Sequence, residues 1–96
     1  MDFNKMMAQA KKMQAEIDRK ENEFDEKIFS FEKQGIKLEM KGSLEIVLID
    51  IDPVLIDPDD KETLQDLISI TINQATQEIQ EAKKLIRENI ALKIYF

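Results

Sequence analysis

The sequence predicts an α+β fold in which an N-terminal helix is followed by a three-stranded antiparallel sheet and then by a long C-terminal helix. Three observations lead to this prediction. Apolar residues recur at helical spacing near both ends of the chain, whereas in its middle they tend to alternate with polar ones. Glycines separate the middle runs, and short turns of this kind join antiparallel neighbours. The 96 residues include only two glycines and two prolines, which favours long regular elements within a single domain, 1–96.

The first helix is predicted from residue 3 to about residue 25. Its apolar residues lie three, four or seven positions apart and form one narrow seam, with Lys20 at the position the seam skips. The residues of the seam are Phe3, Met6, Ala10, Met13, Ile17 and Phe24. Glycine and proline are absent from the stretch, which consists mainly of good helix formers.

Three strands are predicted between residues 26 and 52. The first is a β-prone run around Phe29 and Phe31, the second alternates over 36–41, and the third spans 44–51. In the third strand, alternation puts Ile46, Leu48 and Asp50 on one face, and Val47, Ile49 and Ile51 on the other. Turns are expected at Gly35 and at 42–43, and a three-stranded meander needs helices packed against it.

The second helix is predicted to begin at Pro58 and to reach about Asn89. Asp57 is the predicted N-cap, because its side chain can accept hydrogen bonds from the first free backbone N–H groups. Proline suits the first helical position, and carboxylates in the first turn are stabilised by the positive end of the helix dipole. An alternative use of these carboxylates is a cation site, since Ca²⁺ and Mg²⁺ choose such ligands. The carboxylates concerned are Asp57, Asp59, Asp60 and Glu62.

The first half of the second helix carries more apolar surface than one face can hide in a monomer. Exposed apolar patches mark association sites, so a dimer interface is predicted here and on the strands. The helix residues assigned to this interface are Leu67, Ile68, Ile70 and Ile72. The apolar tail, 91–96, is expected to pack back or to pair with a partner.

The composition argues against most catalytic chemistry. The chain has no histidine and no cysteine, so the commonest general base, thiolate metal sites and disulfides are all excluded. No metal or other cofactor and no small-molecule substrate are expected, and the chain is predicted not to be an enzyme. Asp50 and Asp52 are the one carboxylate pair considered for acid–base work, and no pocket-forming residues accompany them. No apolar run is long enough to cross a bilayer and no secretory signal is visible, so no membrane partner and a cytosolic location are expected.

Two segments resemble the YbaB/EbfC family of bacterial nucleoid-associated proteins. The first, 4–14, reads NKMMAQAKKMQ. The second, 51–68, reads IDPVLIDPDDKETLQDLI and is followed by Asn73-Gln74-Ala75. The resemblance covers nearly the whole chain. It implies a homodimer whose sheets and helices form a compact body with projecting helices. It also implies binding of double-stranded DNA with weak sequence preference, in the nucleoid, for nucleoid organisation or gene regulation.

DNA binding requires positive charge to be segregated, because the chain carries a net charge of −6 and a dimer twice that. Lys5, Lys12 and Arg19 recur every seven residues and form one stripe on the first helix. The whole set of candidate phosphate contacts is Lys5, Lys11, Lys12, Arg19, Lys20, Lys83, Lys84 and Arg87. The alternative is an ordinary solvated surface with pairs four residues apart, such as Glu16 with Lys20.

A second functional class remains open on the sequence alone. The acidic balance and the apolar tail suit a protein-interaction or chaperone-like scaffold module, similar in its two helices and hairpin to small prefoldin-type subunits. The predicted helices are short for the long tentacles of such chaperones.

Overall fold

A computed structural model describes the backbone of residues 2–95 and the side chains of residues 2–89. Its elements follow the predicted order, and the α+β fold class is confirmed. The two helices are α1 (Phe3–Glu26) and α2 (Lys61–Tyr95), and the three strands are β1 (Ile28–Lys33), β2 (Ile36–Lys41) and β3 (Ile46–Ile51). A short 3-10 turn, Pro53–Leu55, precedes α2. The side-chain packing predicted for the apolar tail lies outside the described residues.

Helix α1 begins at an N-cap that sequence reasoning did not identify. The carboxylate of Asp2 accepts hydrogen bonds from the backbone N–H groups of Asn4, at 3.0 Å, and Lys5, at 3.3 Å. These contacts satisfy two of the donors left free at a helix start. The helix ends where Lys27 turns to an extended conformation, and β1 follows at once.

The three strands form an antiparallel sheet in the order β1-β2-β3. The hairpin between β1 and β2 turns at Gln34 and Gly35, both with positive φ, as a two-residue turn of the right twist requires. The central strand β2 buries every second residue, and Ile36, Leu38 and Met40 are each only 1% exposed.

A β-bulge in β3 overturns the predicted faces of that strand. Leu48 pairs with Glu39, but the next residue of β2, Met40, pairs with Ile46, so that Val47 is an extra residue without a partner. Ile46 therefore shares the helix-covered face with Ile49 and not the outer face with Leu48. Simple alternation predicted the opposite because it assumes an uninterrupted period of two.

Helix α2 begins three residues later than predicted, and Asp57 is not its N-cap. Asp57 closes a turn, with its carboxylate accepting from the N–H of Asp59 and its carbonyl from the N–H of Asp60, both at 3.0 Å. Asp60 is the cap, because its carboxylate accepts from the N–H of Thr63 at 3.4 Å and from the hydroxyl of Thr63 at 2.8 Å. The helix also runs past residue 89, to Tyr95.

The core lies where α2 crosses β1 and β2. Ala75 and Ile79 of α2, each 1% exposed, pack against the buried face of β2. The end of α1 closes the cluster with Phe24, whose ring lies 5.1 Å from that of Phe29. Thr71 is the one polar residue that the structure shows buried in residues 2–89, and its hydroxyl donates to the carbonyl of Leu67 at 2.7 Å.

The molecule is elongated, measuring 71 × 18 × 14 Å, with a radius of gyration of 19.5 Å. A compact domain of this length would have a radius of gyration of about 12–13 Å. The length comes from the helices, which run antiparallel with Glu21 opposite Arg87 and Asp25 opposite Lys83. In that register residue 13 of α1 lies level with residue 95, so residues 3–12 project beyond the end of α2.

Candidate nucleic-acid interface

Positive charge is concentrated in the first half of α1, residues 3–15, here called the α1 tip. The tip contains Lys5, Lys11 and Lys12 and no aspartate or glutamate. All three lysines are exposed, and the structure gives them no ion pair among the described side chains. The tip is therefore a cationic projection on an acidic protein.

The opposite end of the molecule carries the opposite charge. Residues 50–66, which lead from β3 into α2, contain seven carboxylates and a single cation, Lys61. A helix of 35 residues is about 52 Å long, so α2 keeps these carboxylates far from the α1 tip. The net charge of −6 thus conceals a strong separation of charge along the long axis.

The stripe predicted on α1 is present, although its last member is paired. Residues seven apart lie on nearly the same side of a helix, so Lys5, Lys12 and Arg19 form one line, each about 10 Å from the next. The guanidinium of Arg19 contacts the carboxylate of Glu23 at 2.9 Å, and the Lys20 ammonium lies 4.0 Å from the same carboxylate. The predicted pairing of Lys20 with Glu16 does not form; Glu23 takes its place.

The predicted basic group of α2 contacts carboxylates instead of lying free. The Lys83 ammonium donates to the Asp25 carboxylate at 2.8 Å, and the guanidinium of Arg87 donates to the carboxylate of Glu21. Lys84 lies 3.9 Å from Glu88, on its own helix. The hydrogen bond from Arg87 lowers the pKa of Glu21, and the same contact raises the pKa of Arg87.

Sequence reasoning missed the two carboxylates of α1 that meet this group. Glu21 and Asp25 lie four residues apart, as do Lys83 and Arg87 on α2. Matching spacings of opposite sign indicate two helix faces that fit together, and this signal was available in the sequence. The structure therefore divides the eight predicted contacts into three unpaired lysines on the tip and five cations in ion pairs.

A cleft of about 350 Å³ lies between the two helices, next to these ion pairs. Its charged lining residues are two lysines, Lys20 and Lys27, and two glutamates, Glu16 and Glu23. Charges of both signs mean that it favours neither an anion nor a cation.

A second surface is apolar and lies on β3. Helix α2 covers β1 and β2 but leaves β3 open on the inner face, which exposes Ile46 and Ile49, and Leu48 lies on the outer face. Four consecutive apolar side chains of β3 are thus between 38% and 47% exposed. They are Ile46, Val47, Leu48 and Ile49. Strand β3 is also an edge of the sheet, with backbone groups that have no neighbouring strand.

The four predicted dimer residues of α2 do not lie on one patch. Leu67 is buried within the protomer. Ile68 and Ile72 lie on the side of α2 that leans toward β3, where both are partly buried. Ile70 shares the opposite side with Gln74, whose side chain accepts a hydrogen bond from Lys33 of β1 at 3.1 Å.

The acidic residues do not form a metal centre in the part of the chain with described side chains, where no three metal-ligating groups converge. The carboxylates considered for a cation site are used locally, Asp57 in a turn and Asp60 in a cap. Asp52, considered for acid–base chemistry, accepts the N–H of Val54 at 3.0 Å and so holds the 3-10 turn. No helix among the described residues has the length and hydrophobicity to cross a membrane.

Comparison with known proteins gives one consistent result. The model of the YbaB/EbfC DNA-binding family matches residues 1–92. A nucleoid-associated protein of Mycoplasmopsis pulmonis is 47% identical over 90 residues, covering 94% of this chain and 90% of the relative. A nucleoid-associated protein of Caldicellulosiruptor saccharolyticus is 48% identical over 46 residues, covering 48% of this chain and 38% of its own length.

The fold also matches a solved structure. The crystal structure of an uncharacterized protein from Helicobacter pylori superposes with a TM-score of 0.81 and covers 95% of this chain and 98% of its own. The two sequences are 22% identical, so this likeness concerns the fold alone.

Proposed function

Because the chain belongs to the YbaB/EbfC DNA-binding family, we propose that it binds double-stranded DNA as a homodimer, through phosphates and with weak sequence preference. The family and the names of its relatives support a nucleoid-associated role, in the cytoplasm of a bacterium. A function as an enzyme forms no part of the proposal. Nucleoid organisation or gene regulation is the process this binding would serve.

The observation that carries the proposal is the α1 tip. Proteins bind duplex DNA chiefly through lysine and arginine contacts to phosphates, which release condensed counterions. Lys5, Lys11 and Lys12 are exposed, without a carboxylate in the same 13 residues, and project from the body. An acidic protein can bind a polyanion only if its cations are separated from its carboxylates in this way.

The homodimer is supported by the open side of β3. An unpaired edge strand with apolar side chains needs a cover in a soluble protein, and a second copy provides one with an identical patch. The patch we assign to this interface consists of Ile46, Ile49, Ile68 and Ile72. Two copies joined there would carry two cationic tips, and a duplex can contact both at once.

A protein-interaction module is the second candidate, and it is favoured by a specific feature of the same tip. Phe3 is 72% exposed, and Met6 and Met7 are about half exposed. Apolar side chains contribute little to phosphate contacts but much to contacts with another protein.

The test is fluorescence anisotropy with a mixed-sequence 30-base-pair duplex across a salt series. Binding is expected to weaken linearly on logarithmic axes, with a slope of about −0.9 for each phosphate neutralised. Reversal of charge at the tip (K5E, K11E and K12E together) should abolish binding near physiological salt. The control is K61E, which places one reversed charge at the acidic end. Absence of binding by the unmodified protein at low salt would contradict the proposal of DNA binding and favour a protein partner.

A further inference from the structure

We propose that Glu21 and Asp25 form an autoinhibitory latch, which compensates the charges of Arg87 and Lys83 until DNA phosphates replace the two carboxylates. The inference rests on the proposed function and deepens it, because it assigns to these carboxylates the control of affinity. DNA binding then has a weak mode, which uses the α1 tip alone, and a strong mode, which also uses the cations of α2.

The geometry of the latch is a match between two pairs. Glu21 and Asp25 are one helical turn apart on α1, and Lys83 and Arg87 are one turn apart on α2. The antiparallel packing brings each acid against one base, with Lys83 and Asp25 joined at 2.8 Å. The Glu21 carboxylate is the most enclosed of the four groups, at 16% exposed.

The contact neutralises the cations of α2. A phosphate that approaches Arg87 meets the Glu21 carboxylate beside it, and Lys83 is compensated by Asp25 in the same way. Two bases and two acids together have no net charge, so this part of the surface releases few counterions when DNA approaches. The α1 tip differs, because none of its lysines is compensated among the described side chains.

The latch is weak enough for DNA to open it. Arg87 is 62% exposed, and both members of the Lys83–Asp25 pair are about one-third exposed, so water and salt screen both contacts. A phosphate offers the same kind of charged acceptor as a carboxylate, and guanidinium binds it equally well. Of the three tip lysines only Lys11 lies on the latch side of α1, within about 40° of Asp25 around the helix axis, so a duplex would reach the latch from Lys11.

The test compares two variants that remove the same charge. In E21Q with D25N the latch is absent, and in E16Q with E81Q two carboxylates are removed that form no ion pair in the described part of the chain. Both should be titrated with the 30-base-pair duplex across the salt series. The latch variant is expected to bind more tightly than the control variant, by about eightfold per freed cation at 0.1 M salt. Its salt slope should be steeper by about 0.9 per freed cation.

A second measurement separates the latch from general electrostatics. The loss of affinity caused by R87Q should be larger in the E21Q background than in the unmodified chain, because only there is Arg87 free to bind phosphate. The charge-swapped protein, with Glu21→Arg and Arg87→Glu, keeps an ion pair and checks that α1 and α2 still pack, by circular dichroism.

The outcomes are distinct. Equal affinities and slopes for the latch and control variants, while the unmodified protein binds DNA, overturn the latch and leave the proposed function standing. No binding by the unmodified protein or by any variant overturns both. Binding by the latch variant at a salt concentration at which the unmodified protein, although it binds at lower salt, no longer binds supports the latch in its strongest form.

Discussion

The backbone carbonyl of Phe24, at the end of α1, occupies the space in which a side chain at Gly42 would begin. A Cβ built on Gly42 overlaps this oxygen and also comes within 2.6 Å of the Phe24 ring. The backbone N–H of Gly42 donates to the carbonyl of Lys27 at 2.9 Å, so the two segments are held at this distance. Gly42 therefore joins the end of β2 to the end of α1, in addition to forming the predicted turn.

Replacement of Gly42 by alanine should strongly destabilise the protein. The obstacle is backbone and not the flexible end of a side chain, so relief requires α1 to move away from the sheet. We expect a loss of about 3 kcal/mol in the free energy of unfolding, at the upper end of overpacking effects. Urea denaturation measures it, with S43A at the neighbouring exposed position as control. A loss as small as that of the control would contradict the close approach.

The start of α2 should depend on Asp60 more than on Asp57. D60A removes the carboxylate that accepts both the N–H and the hydroxyl of Thr63. We expect it to cost about 1 kcal/mol of stability, which is typical for loss of an N-cap. D57A removes one turn contact and should cost less, measured in the same way. The reverse order would restore Asp57 as the cap.

The contact between Glu21 and Arg87 should make the stability of the protein depend on pH in the acidic range. The pKa of Glu21 is lowered from its ordinary value of 4.5, chiefly by the hydrogen bond from Arg87. A carboxylate with a lowered pKa contributes stability above its unfolded pKa and loses it as the pH falls through the folded one. The stability difference between the unmodified protein and E21Q should therefore shrink below about pH 4.5. Thermal unfolding measured from pH 3 to pH 7 tests this, and a difference that does not change with pH would argue against the contact.

Assembly should depend on the open side of β3. I49E puts a carboxylate into the apolar patch, and burial of an unpaired charge between two copies is costly. Light scattering should then report a monomer, while the unmodified protein is a dimer. The matched control is I28E, because Ile28 is an exposed isoleucine on the outer face of β1 and is 51% exposed. The proposed interface would be contradicted if the unmodified protein were a monomer, or if I49E and I28E were both dimers.

The elements could be predicted because they follow from local periodicity. The spacing of Phe3, Met6 and Ala10 defines α1, and the alternation of Ile36, Leu38 and Met40 defines β2, wherever these residues pack. What escaped prediction depends on competition between neighbouring residues. Two aspartates can each cap a helix, and the turn at Asp57 leaves that role to Asp60.

The site was predicted less well because it depends on contacts between elements. A sequence gives the spacing of Lys83 and Arg87 but not the helix that faces them, so their pairing with Asp25 and Glu21 was missed. The α1 tip required no such information, because its charge is local. The apolar excess that predicts association was recognised on α2 and on the strands, but the faces of β3 were assigned wrongly because the bulge at Val47 disturbs the alternation.

The 71 Å length of the protomer also determines how a monomeric variant such as I49E rotates in solution. End-over-end rotation of a rod is much slower than rotation about its axis. The N–H bonds of both helices lie nearly parallel to the long axis, so the slow motion dominates their magnetic relaxation. Amide signals from α1 and α2 of the monomer should therefore broaden as in a considerably heavier globular protein. Gel filtration will also overstate its mass, because an elongated molecule has a larger hydrodynamic radius than a compact one of equal mass.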